Sequence, residues 1–98
     1  MEKKGYLFAE LSVTDAGVFY DAYMAKVKPV LQKFGAKFLV GTNDPQVIEG
    51  GRIVPRVIFL EFSSVDKARE FYFSPQYQDI IDYRFRSSNA HLYILEGL

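Results

Sequence analysis

Two glutamates, one histidine and a group of tyrosines are the side chains best equipped for chemistry in this sequence. Glu10 and Glu61 lie in apolar, β-rich runs. Two carboxylates held close in a low-dielectric cleft shift each other's pKa and can serve as acid and base. The plainer alternative places each near a strand end, paired with Arg56, Arg84 or Arg86. His91 is the only histidine, and imidazole is the side chain whose ordinary charge change falls near physiological pH, so it is a candidate general base. A lone histidine in a terminal strand also serves as an ordinary packed or half-exposed residue. Tyr20, Tyr23, Tyr72, Tyr77 and Tyr83 come from two helical regions, and each joins an apolar ring to one polar tip. With the planar fork of Arg84 nearby, several such tips could line a pocket for a small aromatic or carboxylated molecule. The competing view makes the rings core and sends their hydroxyls to solvent. The expected site thus has Glu61 and His91 for proton transfer, and Tyr23, Tyr77 and Arg84 for the ligand. Catalysis needs an acid or base reachable from the pocket. A tyrosine-lined pocket without a reachable carboxylate or imidazole points to binding alone.

Other chemistries are excluded by composition. There is no cysteine, hence no disulfide framework, thiolate metal site or cysteine nucleophile. No His-x-x-x-His or Glu-x-x-His spacing exists, so neither a metal nor another cofactor is expected. Gly50-Gly51 lacks the Gly-Lys-Ser/Thr context of a phosphate loop, and no Gly-x-Ser-x-Gly elbow appears. Twelve basic residues balance twelve acidic ones, whereas proteins living on phosphate contacts are usually basic; no nucleic-acid partner is expected. No run approaches the ~18 apolar residues of a membrane span. The opening Met-Glu-Lys-Lys-Gly-Tyr leads straight into a strand with no signal-peptide core, so the chain reads as soluble and cytoplasmic. Its 98 residues suit one domain, 1–98, and 49% apolar with 24% charged residues is globular rather than disordered.

The elements that must position these residues follow from periodicity. Residues 5–13 alternate with period two, as a strand. Thr14-Asp15 reads as a helix start. Phe19, Ala22, Tyr23, Val27, Val30, Leu31 and Phe34 follow at helical spacing, with a kink expected at Pro29 and a stop at Gly35. Residues 37–40 form a second strand. Turn signals at Asn43-Asp44-Pro45 and Gly50-Gly51 bracket a short extended piece, 46–49. Residues 56–62 are the strongest strand. Ser63-Ser64, with Asp66 three after Ser63, suggests a capping box, and Val65, Ala68, Phe71 and Tyr72 form the buried side of the helix behind it. Ser74-Pro75 restarts a helix reaching about Tyr83. Residues 89–96 close the chain as a strand.

The order β-α-β-β-α-β, with a short extra helix before the last strand, predicts an α+β fold: a four-stranded antiparallel sheet with helices on one face. The helices can cover Leu7, Ala9, Leu11, Ile58, Leu60 and Phe62. Tyr6, Phe8, Val57 and Phe59 then occupy the other face, where a solvated sheet would be polar. A patch of this kind marks an interaction site, and a second copy related by two-fold symmetry is the simplest cover. RRM domains share this element order and stack bases on such aromatics. Here the glycines of their third-strand motif are absent, and Glu10 and Glu61 on the same face would repel phosphate.

The chain resembles domain-of-unknown-function family 1330, small proteins of the dimeric α+β barrel, ferredoxin-like class. The resemblance rests on Val13-Thr14-Asp15 with Tyr20 and Tyr23, Pro29, Phe34-Gly35 with Phe38-Leu39-Val40, Val47-Ile48-Glu49-Gly50, Arg56 to Phe62, Ala68 with Tyr72, Ser74-Pro75-Gln76-Tyr77-Gln78, Arg84 and the closing Glu96-Gly97. Ala36 stands where a second glycine is usual, and His91 lies outside the pattern. The resemblance implies a ferredoxin-like homodimer built through the sheet face. Related barrel families include cofactor-free monooxygenases, lactone isomerases and ligand sensors, so it leaves open whether the chain is an enzyme. The leading expectation is a small-molecule pocket between sheet and helices, in a binder or a cofactor-free enzyme. The alternative is a structural module whose only strong surface chemistry is self-association.

Overall fold

The computed structural model describes residues 2–98. Strand β1, Gly5–Val13, has a period-two burial pattern as far as Ser12, and β3, Arg56–Phe62, has one throughout. These two are the central antiparallel pair, Tyr6 facing Glu61 and Glu10 facing Val57. Strand β2, Lys37–Thr42, pairs with β3 through an irregularity between Phe38 and Val40. Strand β4, Ser88–Glu96, pairs with β1 along its whole length. The sheet order is β2-β3-β1-β4, all antiparallel.

The helices α1, Ala25–Lys33, α2, Val65–Phe73, α3, Pro75–Gln78, and α4, Ile81–Ser87, make the second layer. Leu7, Ala9, Leu11, Ile58, Leu60 and Phe62 are all buried beneath it, as the alternation requires. From the helices, Phe19, Val27, Leu31, Ala68, Phe71, Tyr77 and Ile81 complete the core. Gly5 is glycine because a Cβ there would overlap the Ser64 carbonyl, where the chain enters α2.

The connections depart from expectation in three places. Residues Gly17–Met24 wind as a π-helix before the chain continues as α1. Apolar spacing does not distinguish five-residue from four-residue closure. The winding changes at Ala25, the residue whose carbonyl the Pro29 ring crowds. Asp15 does cap this start, accepting from the Val18 N–H at 3.1 Å. Ser64 rather than Ser63 caps α2, accepting from the Lys67 N–H at 3.1 Å. The helix expected from Ser74 to Tyr83 is split into α3 and α4 by a turn at Asp79–Ile80. Residues 46–49, between the two turn signals, belong to an irregular loop.

Candidate functional site

The polar centre of the molecule lies between sheet and helices. The Tyr23 and Tyr77 hydroxyls are 2.7 Å apart, and Arg84 Nε donates to the Tyr77 oxygen at 3.2 Å. All three side chains are buried. Three elements deliver them: the π-helical segment, α3 and α4. Ser74 fixes Tyr77 by accepting its backbone N–H at 3.1 Å while donating to the Phe71 carbonyl at 2.7 Å. Ser88 donates to the Arg84 carbonyl at 2.8 Å and holds the end of α4.

Burial pushes the Tyr23 pKa well above its ordinary 10.0, and the neighbouring Tyr77 oxygen adds to the rise. Burial also raises Tyr77, although the Arg84 charge pulls the other way. For Arg84, burial opposes the charge, but the Tyr77 and Tyr23 oxygens outweigh it and the net shift is upward. The three groups therefore stay as two neutral phenols and one guanidinium. Among the described residues no carboxylate lies within salt-bridge distance of Arg84.

Tyr23, Tyr77 and Arg84 border a small apolar cavity of about 30 Å³, room for a water or two. Beside it runs a groove of about 480 Å³ between α1 and β2. Met24, Leu31, Phe38 and Leu60 border both spaces. The groove is of ligand size, whereas the inner cavity as it stands is not. No aspartate, glutamate or histidine lines either.

Glu61 and His91 do not join this cluster. Both point to the opposite, open face of the sheet, because they alternate with the core-facing Leu60, Phe62 and Leu92. Glu61 accepts from the Tyr6 hydroxyl at 3.2 Å, and desolvation followed by this carboxylate raises the Tyr6 pKa. Glu10 sits opposite His91 and is paired with Arg52. Since Glu61 faces Tyr6, the two glutamates are four residues apart along β1, about 13 Å. They are no acid–base pair within one protomer. Neither takes Arg56, Arg84 or Arg86 as partner; Arg86 instead holds Asp82 at 2.8 Å. Among the described residues no group of three potential metal ligands exists.

Sequence reasoning missed Arg56, which is buried on the helix side and borders the groove. A signal was present. Arg56 is in phase with Ile58, Leu60 and Phe62, so period two already put a charge on the core face.

Residues 4–98 match the model of the family described as a domain of unknown function, DUF1330. The chain belongs to that family. No functionally curated protein matches it. Among solved structures, it is similar to a protein of unknown function from Rhodopseudomonas palustris, with 19% identity, TM-score 0.81, and coverage of 100% of this chain and 85% of that one. It is also similar to SnoaB, a cofactor-independent oxygenase from Streptomyces nogalater, with 10% identity, TM-score 0.69, and coverage of 98% and 94%. A third, from Bacteroides fragilis, is described as dimeric with a ferredoxin-like fold; it shows 10% identity, TM-score 0.60 and 95% coverage of each chain. At such identities the likeness concerns the fold. The DUF1330 chain is thus a ferredoxin-like α+β protein, and no helix among its described residues is long and apolar enough to cross a membrane.

Proposed function

We propose that this DUF1330 protein binds a small aromatic or carboxylated molecule on the helix side of its sheet. The ligand enters by the α1–β2 groove and presents its polar group to Tyr77 and Arg84. One observation carries this reading: a buried, hydrogen-bonded Tyr23–Tyr77–Arg84 chain has no carboxylate partner and borders apolar space beside a ligand-sized groove. A buried guanidinium without an anion is a binding site in waiting, since its charge is desolvated and only partly matched. Phe38 and Met24, which border both spaces, must shift for the ligand to reach Arg84. The lining lacks a carboxylate or imidazole, which favours binding over acid–base catalysis. A catalytic role for Glu61 or His91 requires a second substrate position, on the open face.

The reading includes a homodimer. Tyr6, Phe59, Phe8 and Tyr93 pack in that order across the open face, with centroid spacings of 5.3, 5.8 and 6.3 Å; the outer two contacts are stacked and the middle one is edge-to-face. Tyr93 and Leu95 remain 47% and 44% exposed in the single chain, so the ladder is unfinished without a cover. A second copy packed face to face supplies one by an isologous contact. The dimeric Bacteroides fragilis neighbour supports this choice.

The experiment is a thermal-shift screen of small aromatic acids, lactones and quinones. A ligand at ten times its Kd stabilises by about 1.4 kcal/mol, roughly 5–10 °C for a domain this size. The shift should grow with the logarithm of ligand concentration and disappear in Arg84→Gln. Silence across the screen would favour the self-association module, which the ≈ 30 Å³ inner cavity by itself also suits.

A further inference from the structure

We propose that Arg56 forms an anion site in the α1–β2 groove and takes the carboxylate of a small organic acid there. This site does not depend on a ligand reaching Arg84. Arg56 is 8% exposed, on the core-facing side of β3. Its Nη1 donates to Asn43 Oδ1 at 2.8 Å, and its guanidinium carbon lies 5.7 Å from the Tyr20 ring centroid. Both partners are neutral. Nε is buried with no hydrogen-bond partner, and among the described residues no carboxylate comes within salt-bridge distance. Proteins seldom bury a cation so poorly matched unless an anion completes it.

The surroundings say where that anion sits. A Cβ on Gly41 would stand 3.6 Å from Arg56 Nη2 and 2.6 Å from the Phe38 ring. The missing side chain therefore leaves the guanidinium edge open on the groove, which Gly41 and Arg56 both border. Lys28 adds a second positive charge to the same lining, and no acidic residue does. Leu31, Phe38 and Leu60 make the remaining wall apolar. A planar carboxylate suits the fork of Arg56, and an apolar body suits the wall. A small inorganic anion would meet the charge and leave the wall unused. One under-matched guanidinium beside one lysine, in about 480 Å³, fits a compact monocarboxylic acid carrying a ring or short chain.

The test is calorimetric titration of benzoate and its uncharged isostere benzamide into the full chain, with Arg56→Gln, Arg56→Lys and Arg84→Gln alongside. The wild type should bind benzoate at least about tenfold more tightly than benzamide, the usual margin for a charged hydrogen bond. Arg56→Gln should abolish the preference, and Arg56→Lys should restore part of it. A preference that survives Arg56→Gln but vanishes in Arg84→Gln overturns this inference while leaving the Arg84 reading standing. Equal binding of the two compounds by the wild type, or binding of neither, also overturns it. Should Arg56→Gln fail to fold by circular dichroism, the Arg56 Nε–H resonance of the wild type decides. It should move with benzoate and not with benzamide; an unmoved resonance overturns the site.

Discussion

Replacing Tyr77 by Phe removes one oxygen, and that oxygen is the hinge of the buried polar chain. The Tyr77 side chain is 1% exposed, and its hydroxyl meets both the Tyr23 hydroxyl at 2.7 Å and Arg84 Nε at 3.2 Å. Its loss strands two buried partners. A neutral hydrogen bond contributes about 1 kcal/mol and one to a charged group about 1.5–3 kcal/mol, while the lost hydroxyl no longer needs desolvating. The expected destabilisation is about 2–4 kcal/mol. Tyr23→Phe is the control. It breaks the 2.7 Å contact but leaves Tyr77 bonded to Arg84, so it should cost only about 1 kcal/mol. The double variant should fall short of the sum by about 1 kcal/mol, because both single changes break the same bond. Urea unfolding at one fixed protein concentration measures all three, with an unchanged m-value as the check on two-state behaviour. Tyr77→Phe within about 0.5 kcal/mol of wild type, or Tyr23→Phe more damaging than Tyr77→Phe, would refute the chain as drawn.

The same phenols set an alkaline limit. The folded pKa values of Tyr23 and Tyr77 are raised, so their contribution is complete below the unfolded value of about 10 and is lost as pH climbs above it. Stability should be flat to about pH 9 and fall beyond 10, less steeply in Tyr23→Phe; a flat profile through pH 11 contradicts this. Phe59→Arg, in the middle of the stacked open face, should give a folded monomer by sedimentation velocity where the wild type sediments as a dimer; a monomeric wild type at micromolar concentration would sink the dimer reading. Glu61→Gln should leave fold and ligand affinity unchanged, since Glu61 lies across the sheet from the groove, and a large drop in titrated affinity would argue that the ligand sits on the open face. Gly5→Ala should cost about 1–3 kcal/mol or more in chemical denaturation, because the new Cβ meets backbone that cannot rotate away; a neutral result would mean that the entry to α2 gives way.

The layering was readable in the residues because one rule governs it. Strands β1 and β3 alternate from Gly5 to Ser12 and from Arg56 to Phe62, so period two alone assigns six side chains to the helix face, and all six are buried. Tyr23, Tyr77 and Arg84 were grouped on chemical type, and in the fold they touch. What the sequence hid was register and winding. Whether Glu10 and Glu61 meet depends on which residue of β1 faces which of β3, and side-chain types do not encode that offset. The turn at Asp79–Ile80 has neither glycine nor proline to announce it. Arg56 gained its meaning only when Gly41 and Asn43, from the end of β2, and Tyr20, from the π-helical segment, arrived beside it. A core-facing arginine in an apolar strand was nonetheless the clue.

Backbone amide shift mapping during titration with a bound aromatic acid addresses the central claim most directly. The shifts should gather at Met24, Leu31, Phe38, Leu60, Tyr77 and Arg84, behind the sheet. Shifts gathered instead at Phe8, Phe59 and Tyr93 would contradict the claim.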